Sequence, residues 1–413
     1  MGCKAMGCKT GVRNGLVFGT IGLLALALAG APAVAQKAYG PGVTDTEIKL
    51  GTTTPFSGPA SAYSASAVSA TAFFTMINEK GGINGRKINY VALDDGYSPP
   101  KTVEQTRKLI EGEEVLFLVN PVGTAPNGAV VKYVNNKKVP DLFIGSGATM
   151  FNDPEHFPWT LSWTPHYASE GEIYAKYILK NKPDAKIGIL WQNDDLGRDY
   201  LLGFKRGLGD KAAKMIIAEQ PYNVTDPTVD SQVVSLKTAG ADVFFIVTTP
   251  KFSAQAIRKA WDTDWHPMKI VVSIGSSIAG AIKPAGFDAS KDVISAAYQK
   301  DPADPQWAND PEMKKWNEWM DKYNPHVSKS DYYAPYGYNI GTAVTNILKM
   351  AGDNLTRENI MTIATHLDMD LPLLLPGIKL HTTPDDHRPI KQMNLVKFDG
   401  ERYVLFGDVL ASE

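Results

Sequence analysis

Cysteine is almost absent from this chain of 413 residues. Its two cysteines, Cys3 and Cys8, both precede an apolar run that extends from Leu16 to Ala29. A mature chain that begins after this run has no thiol, which excludes disulfides, cysteine nucleophiles and cysteine-ligated metals. It must be stabilised mainly by burial of apolar side chains, which a chain of this length allows.

Long hydrophobic runs are also lacking. No run after residue 36 reaches the roughly 18 apolar residues at which a membrane-spanning helix becomes the expected structure. The run from Leu16 to Ala29 is shorter still, follows three basic residues and precedes Ala33-Val34-Ala35. This pattern predicts a secretory signal peptide over residues 1–35, cleaved before Gln36, with a retained amino-terminal anchor as the alternative.

Catalytic motifs are missing too. The chain has no Gly-x-Ser-x-Gly elbow, no Gly-x-Gly-x-x-Gly, no phosphate loop and no His-Glu-x-x-His. The one tight group of possible metal ligands lies at 381–387, in a proline-flanked stretch typical of a solvated loop. The acidic pairs Asp94-Asp95 and Asp194-Asp195 stand at strand ends, where neighbours point to opposite faces. We therefore expect no enzymatic activity, no cofactor and no metal.

No charge of one sign dominates. Loss of residues 1–35 removes three of the 42 basic residues and none of the 44 acidic ones, which leaves a formal net charge of about −5. A nucleic-acid partner is disfavoured, because it would require a basic face. The remaining length predicts two domains.

Apolar runs alternate with helical patterns from Glu47 onward, as parallel α/β sheets require. The first series predicts a doubly wound sheet within the first 150 residues, with strands at 47–53, 88–94, 114–119 and 141–145 and helices at 62–79 and 101–112. The second series predicts another lobe, with strands at 186–192, 214–218, 241–247 and 269–274 and helices at 169–181, 196–208, 228–239 and 252–263.

The last third of the chain contains too few predicted strands for a third lobe. Helices are predicted at 311–324, 338–351 and 357–367, and Asp399-Gly400 predicts a hairpin turn between two short strands. The chain is therefore expected to cross between the two lobes more than once.

Several short motifs then point to one family. They are Phe56-Ser57-Gly58-Pro59, Asn78-Glu79-Lys80-Gly81-Gly82-Ile83-Asn84-Gly85, Asp94-Asp95, Gly147-Ala148-Thr149 and Asn193-Asp194-Asp195-Leu196-Gly197. In this order and spacing the chain resembles the periplasmic solute-binding proteins of ABC transporters of the Leu/Ile/Val-binding type. It looks closest to the subgroup associated with aromatic acids.

The resemblance implies an α/β fold of two doubly wound lobes joined by a three-crossing hinge, the type I periplasmic binding fold. Lobe 1 is expected to comprise residues 45–163 and 295–385, and lobe 2 residues 164–294 and 386–413. It also implies a periplasmic protein, expected to be a monomer, that closes on a small-molecule carboxylate and delivers it to ABC transporter permease subunits.

By the same resemblance, loops at strand ends supply ligand-binding residues. The first lobe offers an aromatic ring and two loops with hydroxyl and amide groups, and the second lobe offers three matching loops. The expected ligand-binding residues are Tyr63, Gly123, Thr124, Gly147, Ala148, Thr149, Asp195, Leu196, Thr248, Thr249, Gly275 and Ser276. Tyr167, Tyr333 and Tyr336, near predicted crossings, are added as aromatic walls.

One departure from the family changes the expected ligand. The amino-acid binders have an acidic residue on the loop that aligns with 274–277, whereas this chain reads Ile274-Gly275-Ser276-Ser277. A buried ammonium without a counter-charge costs several kcal/mol. Together with the tyrosines, this favours an aromatic carboxylate over an amino acid. A branched-chain amino acid, an aliphatic acid or an amide remains an alternative ligand, and a ligand sensor an alternative role.

Overall fold

Fully buried strands form the centre of two sheets in the computed structural model, which describes residues 37–411. The segment Val243–Val247, with the sequence Val-Phe-Phe-Ile-Val, is buried at every position. Such continuous apolar runs are typical of parallel strands covered by helices on both faces. The predicted signal peptide, residues 1–35, lies outside the described residues.

The strands are numbered in chain order. They are β1 (Ala38–Tyr39), β2 (Glu47–Thr54), β3 (Lys87–Asp94), β4 (Phe117–Val119), β5 (Asp141–Ile144), β6 (Thr160–Ser162), β7 (Ile187–Gln192), β8 (Ile216–Tyr222), β9 (Val243–Val247), β10 (Met268–Val271), β11 (Ile294–Ala297), β12 (Asn354–Leu355), β13 (Asp368–Met369), β14 (Leu380–His381), β15 (Gln392–Phe398) and β16 (Tyr403–Ala411).

The helices are numbered in the same way. They are α1 (Ala65–Glu79), α2 (Pro99–Arg107), α3 (Thr124–Gly128), α4 (Val131–Asn136), α5 (Tyr167–Asn181), α6 (Asp195–Leu208), α7 (Ala212–Met215), α8 (Asp230–Thr238), α9 (Pro250–Asp262), α10 (Lys283–Ala285), α11 (Phe287–Ser290), α12 (Pro311–Tyr323), α13 (Tyr333–Ala351) and α14 (Arg357–Ala364).

The first lobe is built on a five-stranded sheet of order β3-β2-β4-β5-β6. All its neighbouring strands are parallel, and β2 pairs with β3 along its whole length. The long helix α13 packs against α1 and so covers this lobe, although it comes late in the sequence. Parallel pairing places the carboxyl ends of these strands along one edge.

The second lobe is built on a seven-stranded sheet of order β16-β15-β11-β10-β9-β7-β8. Strands β11, β10, β9, β7 and β8 are parallel, whereas the carboxyl-terminal hairpin β15-β16 is added antiparallel to β11. Helices α5 and α6 pack closely on it, because α6 carries Gly203 at the contact. A Cβ atom at Gly203 would lie 1.8 Å from the carbonyl oxygen of Ala168 on α5.

The chain passes between the two sheets three times: after β6, after β11 and before β15. The second and third passages run side by side, since the Lys300 amide donates to the Leu373 carbonyl and the Leu375 amide donates to the Tyr298 carbonyl. Strand β11 extends three residues past the predicted lobe boundary at 294. The lobe bounds themselves stay a prediction.

Several element predictions differ from the structure. The strand predicted at 214–218 begins at Ile216, because α7 occupies the preceding residues. The helix predicted from residue 338 begins at Tyr333. Strands β6 and β11 were not predicted. No helix within residues 37–411 is long and apolar enough to cross a membrane.

Candidate ligand-binding site

A cavity lies where the carboxyl ends of the two sheets face each other, with about 380 Å³ of empty space when its opening to solvent is included. Loops that follow β2, β3, β4, β5 and β6 reach it from the first lobe, and loops that follow β7 and β10 reach it from the second. It is lined by Tyr63, Ser66, Tyr97, Val122, Gly123, Thr124, Gly145, Thr164, Tyr167, Leu196, Ile274, Tyr333 and Tyr336.

Five of the thirteen lining residues are tyrosines. The ring of Tyr63 meets Tyr333 edge to face at a centroid distance of 5.2 Å, and Tyr97 lies 6.5 Å from Tyr63. Tyr336 lies 6.0 Å from Tyr333, while Tyr167 is stacked on the neighbouring Tyr200. The tyrosines thus present flat apolar surface with polar hydroxyl groups, a combination suited to planar ligands with polar substituents.

No charged side chain is among the residues that line this cavity. Burial raises the pKa of Tyr63, Tyr97, Tyr333 and Tyr336 well above the usual value for tyrosine, and it raises the pKa of Tyr167. The hydroxyl groups therefore stay protonated at neutral pH and act as neutral hydrogen-bonding groups.

Two tyrosine hydroxyls link the lobes across the cavity. Tyr333 donates to the Ile274 carbonyl at 2.7 Å, and Tyr63 reaches the same oxygen at 3.4 Å. Ile274 follows strand β10 of the second lobe, whereas both tyrosines belong to elements of the first lobe. These two hydroxyl protons are therefore used within the protein and are not available to a ligand.

Other hydroxyls on the wall are not used in this way, among them those of Tyr336 and Thr164. Asn120 donates its amide to the Tyr336 hydroxyl oxygen at 2.9 Å, which leaves the hydroxyl proton without an acceptor among residues 37–411. The buried Thr164 Oγ1 has no hydrogen-bond partner in the same part of the chain. An unpaired buried polar group is costly, so both groups are suited to a ligand that accepts hydrogen bonds.

The loop after β10 is held in place by a buried acid that does not reach the cavity. The Glu170 carboxylate accepts the Ser273 amide at 2.6 Å and the Ser273 hydroxyl at 2.9 Å, and it also accepts the hydroxyls of Tyr174 and Tyr200. Burial raises the pKa of Glu170, and these four donors oppose that effect. The carboxylate is fully used in positioning the loop.

The structure brings together seven of the predicted ligand-binding residues on one cavity. They are Tyr63, Gly123, Thr124, Tyr167, Leu196, Tyr333 and Tyr336. Gly123 has a φ of +108°, and a Cβ there would lie 2.5 Å from the Tyr97 ring, so the turn before α3 requires glycine. The Thr124 hydroxyl lies 2.7 Å from the Ser146 hydroxyl. Their contact with a ligand stays a prediction.

Three predicted residues of the first lobe lie outside the lining. Gly147 allows a close approach of chains, since a Cβ there would be 2.0 Å from the Pro165 carbonyl oxygen, and Ala148 is buried next to it. Thr149 is exposed: its amide donates to Asp199 at 2.7 Å and its hydroxyl lies 3.0 Å from His166 Nε2.

Five predicted residues of the second lobe also lie outside the cavity lining. Asp195 is exposed and pairs with Arg198, and the Thr248 hydroxyl bonds to Ser253 at 2.6 Å. The other three are Thr249, which is buried, Gly275, which packs on the Thr248 carbonyl, and Ser276, whose hydroxyl donates to the Ser273 carbonyl at 2.9 Å.

Six lining residues were not predicted: Ser66, Tyr97, Val122, Gly145, Thr164 and Ile274. Tyr97 could have been predicted from the sequence, because it follows β3 in an Asp-Gly-Tyr turn at the same sheet edge as the predicted loops. Its φ of +61° turns the ring toward the cavity, and its amide donates to Asp95 at 2.9 Å. Thr164 had no such signal, because the short strand before it was not recognised.

The possible metal ligands at 381–387 do not come together around one point in the structure. His387 is buried with Nδ1 2.8 Å from the Thr160 carbonyl, whereas Asp386 pairs with Arg388 and Lys391. No group of three or more possible ligands that could hold a metal ion occurs within residues 37–411.

Comparison with known proteins places this geometry in a family. The periplasmic binding protein family model matches residues 47–402. Leu/Ile/Val-binding protein homolog 7 of Brucella suis biovar 1 (strain 1330) is 26% identical over 277 residues, covering 65% of this chain and 68% of the relative.

Two solved structures are similar over most of their length. A branched-chain amino acid ABC transporter protein from Thermus thermophilus with bound valine has a TM-score of 0.79 at 16% identity, covering 90% of this chain and 98% of that one. An ABC transporter solute-binding protein from R. palustris in complex with benzoate has a TM-score of 0.75 at 18% identity, covering 89% and 98%.

The chain therefore belongs to the periplasmic binding protein family. The predicted family and the predicted type I periplasmic binding fold are confirmed. The family and its structural neighbours are substrate-binding proteins, and the family name refers to the periplasm.

Proposed function

We propose that this chain is the periplasmic solute-binding component of an ABC transporter and that the tyrosine-walled cavity captures a small aromatic carboxylate. Closure of the two lobes around the solute would present the complex to the membrane permease. Family membership supports the transport role, and the chemistry of the cavity wall supports the choice of solute.

The observation that carries the proposal is the uncharged lining, which includes hydroxyl groups whose protons have no acceptor in the described chain, among them those of Thr164 and Tyr336. A carboxylate can accept hydrogen bonds from Thr164 and Tyr336, both of which lack an acceptor in the described chain. An α-ammonium group would need an acidic partner, and no acid lines the cavity. Without such a partner its burial costs several kcal/mol.

The aromatic character of the solute is supported by the rings around the cavity. Tyrosine rings arranged edge to face and offset give favourable contacts to another ring at about 0.5–1.5 kcal/mol each. The neighbour solved with benzoate supports the same class.

The names of the relatives suggest a branched-chain amino acid as the alternative solute. An aliphatic acid and an amide are further alternatives, and the same clamp can serve as a sensor. Uptake of the solute by a strain lacking this protein separates transport from sensing, since only loss of transport abolishes uptake.

Calorimetric titration of the purified protein with four matched compounds tests the solute class. Benzoate and benzamide differ in charge, benzoate and cyclohexanecarboxylate differ in aromaticity, and leucine adds an ammonium. We expect benzoate to bind more tightly than the other three. Binding of leucine alone would overturn the proposed solute and favour the amino-acid alternative.

Replacement of Thr164 by valine keeps the shape of the side chain and removes its hydroxyl. We expect Thr164→Val to weaken benzoate binding by about 1–3 kcal/mol, because a charge-assisted hydrogen bond is lost. Thr345→Val is the matched control: the Thr345 hydroxyl is also buried and unpartnered, but Thr345 lies outside the lining and is not a predicted ligand-binding residue. Equal losses in the two variants would remove Thr164 from the site.

A further inference from the structure

A second cavity lies behind the wall of the first, with about 570 Å³ of empty space when its opening to solvent is included. It sits between the second and third passages of the chain and the hairpin β15-β16. The two cavities share a wall: Ile274 and Tyr333 line the first, whereas Ser276 and Tyr332 line the second. None of the residues that hold the proposed carboxylate belongs to it.

Much of its surface is apolar or aromatic. Trp307, Tyr332 and Tyr403 contribute rings, and Ile278 and Leu405 contribute aliphatic side chains. The ring of Tyr332 is held edge to face against Tyr298 at 6.3 Å and against Tyr333 at 5.2 Å, so its position is fixed by packing. Such a surface is suited to an apolar or aromatic body.

Two buried polar groups on this surface have no partner in the described chain. Gln299 is 2% exposed, and its amide nitrogen donates to the Tyr332 carbonyl at 2.7 Å, which leaves Oε1 as an unused acceptor. The hydroxyl of Tyr403, a residue that is 7% exposed, also lacks a partner. A ligand that donates hydrogen bonds would satisfy Gln299 Oε1.

The charges around the cavity do not balance. Lys300 pairs with Asp310 at 2.7 Å, and Arg402 lies 3.8 Å from Asp304. Asp301 has no cationic side chain within 4.0 Å among residues 37–411, and its carboxylate accepts only the Ala303 amide, at 2.9 Å. Burial raises the pKa of Asp301 to about 6, so the group is still largely ionised above neutral pH.

We propose that this second cavity binds a small organic cation, a protonated amine on an aromatic or apolar body. The ammonium would face the Asp301 carboxylate and Gln299 Oε1, and the body would pack against Trp307, Tyr332 and Tyr403. Lys300 Nζ already lies 5.4 Å from the centroid of the Trp307 ring, so the attraction of an aromatic ring for the ligand cation would come from Tyr332 or Tyr403. This site is independent of the proposed carboxylate site.

Benzylamine is the probe, titrated by calorimetry into the purified protein without other ligand. Benzyl alcohol is the neutral control of the same shape. We expect benzylamine to bind, and Asp301→Asn to weaken its binding about tenfold or more while binding of the alcohol is unchanged. Asp184→Asn, at an exposed position, is the control for general charge effects and is expected to change neither.

A second variant tests the location. Ala297→Phe places a ring in the space beside Asp301, since Ala297 lines the cavity, and is expected to abolish benzylamine binding. Its melting temperature and its benzoate titration show whether it is folded. The proposal is overturned if benzylamine does not bind wild type at up to about 10 mM, or if its affinity is the same in wild type and Asp301→Asn.

Discussion

At the scale of single residues, the use of each hydroxyl proton decides what the cavity can accept. Tyr63 and Tyr333 donate their hydroxyl protons to the Ile274 carbonyl, whereas the hydroxyl protons of Tyr336 and Thr164 have no acceptor in the described chain. Composition alone does not distinguish these groups. The distinction depends on Asn120, which reaches the Tyr336 oxygen from a distant part of the sequence.

A buried acid outside both cavities makes stability depend on pH. Asp141 is fully buried at the start of β5, neither carboxylate oxygen has a partner among residues 37–411, and burial raises its pKa to about 7. In the unfolded chain the pKa is about 4. Between these values the folded state binds more protons, so the free energy of unfolding falls as pH rises from about 4 to about 7.

Asp141→Asn should remove this dependence. We expect the variant to be more stable than wild type at about pH 8, by up to about 4 kcal/mol, and the difference to vanish below about pH 4. Urea unfolding at several pH values measures it. A constant difference between the two proteins at all pH values would contradict the assignment.

At the scale of elements, the start of α13 shows where sequence patterns mislead. The predicted helix starts at residue 338, which leaves out Pro335 and Gly337, residues of types that usually break a helix. In the structure Pro335 lies in the first turn, where the amide that proline lacks would have no intrahelical partner. The earlier start places Tyr333 and Tyr336 on a rigid helix that faces the cavity.

The short strands were missed for a different reason. β6 has three residues and β11 has four, too few for a periodic pattern. Both are strands only because neighbouring strands pair with them: β5 pairs with β6, and β10 and β15 pair with β11. Thr164 and the hinge passages could not be located without them.

The contact between α5 and α6 leads to a prediction about packing. Gly203→Ala would place a Cβ atom 1.8 Å from the Ala168 carbonyl oxygen, which forces the helices apart. We expect the variant to lose about 2 kcal/mol or more of unfolding free energy, measured by urea titration.

Gly112→Ala is the control for this substitution, because its Cβ would have as its nearest neighbour only the Lys108 side chain, at 3.9 Å. It should change stability by less than about 1 kcal/mol. Similar effects of the two substitutions would show that the helix contact is not tight.

At the scale of the whole molecule, hydrogen bonds across the cavity hold the lobes together. Besides the two bonds to Ile274, the Thr149 amide of the first lobe donates to Asp199 on α6 of the second at 2.7 Å. Burial raises the pKa of Asp199, while the hydrogen bond from Thr149 opposes that effect. Bonds that join the two lobes favour an arrangement in which the lobes lie close together.

Asp199→Ala should shift the protein toward the open arrangement. We expect a larger radius of gyration without ligand in small-angle X-ray scattering. Apparent affinity for benzoate should fall about tenfold, because it scales with the closed fraction. Asp210→Ala, an exposed acid just after the same helix, is the control. An unchanged radius and affinity in Asp199→Ala would mean that the bond does not stabilise closure.

The sequence by itself determined the family, the α/β class and the strands and helices whose periodic patterns are long. It did so because apolar periodicity and turn residues are local properties of the chain. The resemblance to the family, together with the tyrosines near the predicted crossings, also gave seven residues that line the cavity.

Only the tertiary structure decided which loops reach the cavity. Thr149 is turned outward to Asp199, and Asp195 is exposed on the surface, although both stand at strand ends like the residues that line it. The unbalanced charge of Asp301 and the free acceptor of Gln299 likewise appear only when segments far apart in sequence pack together. Hydrogen bonding and burial depend on these distant partners, which no local pattern specifies.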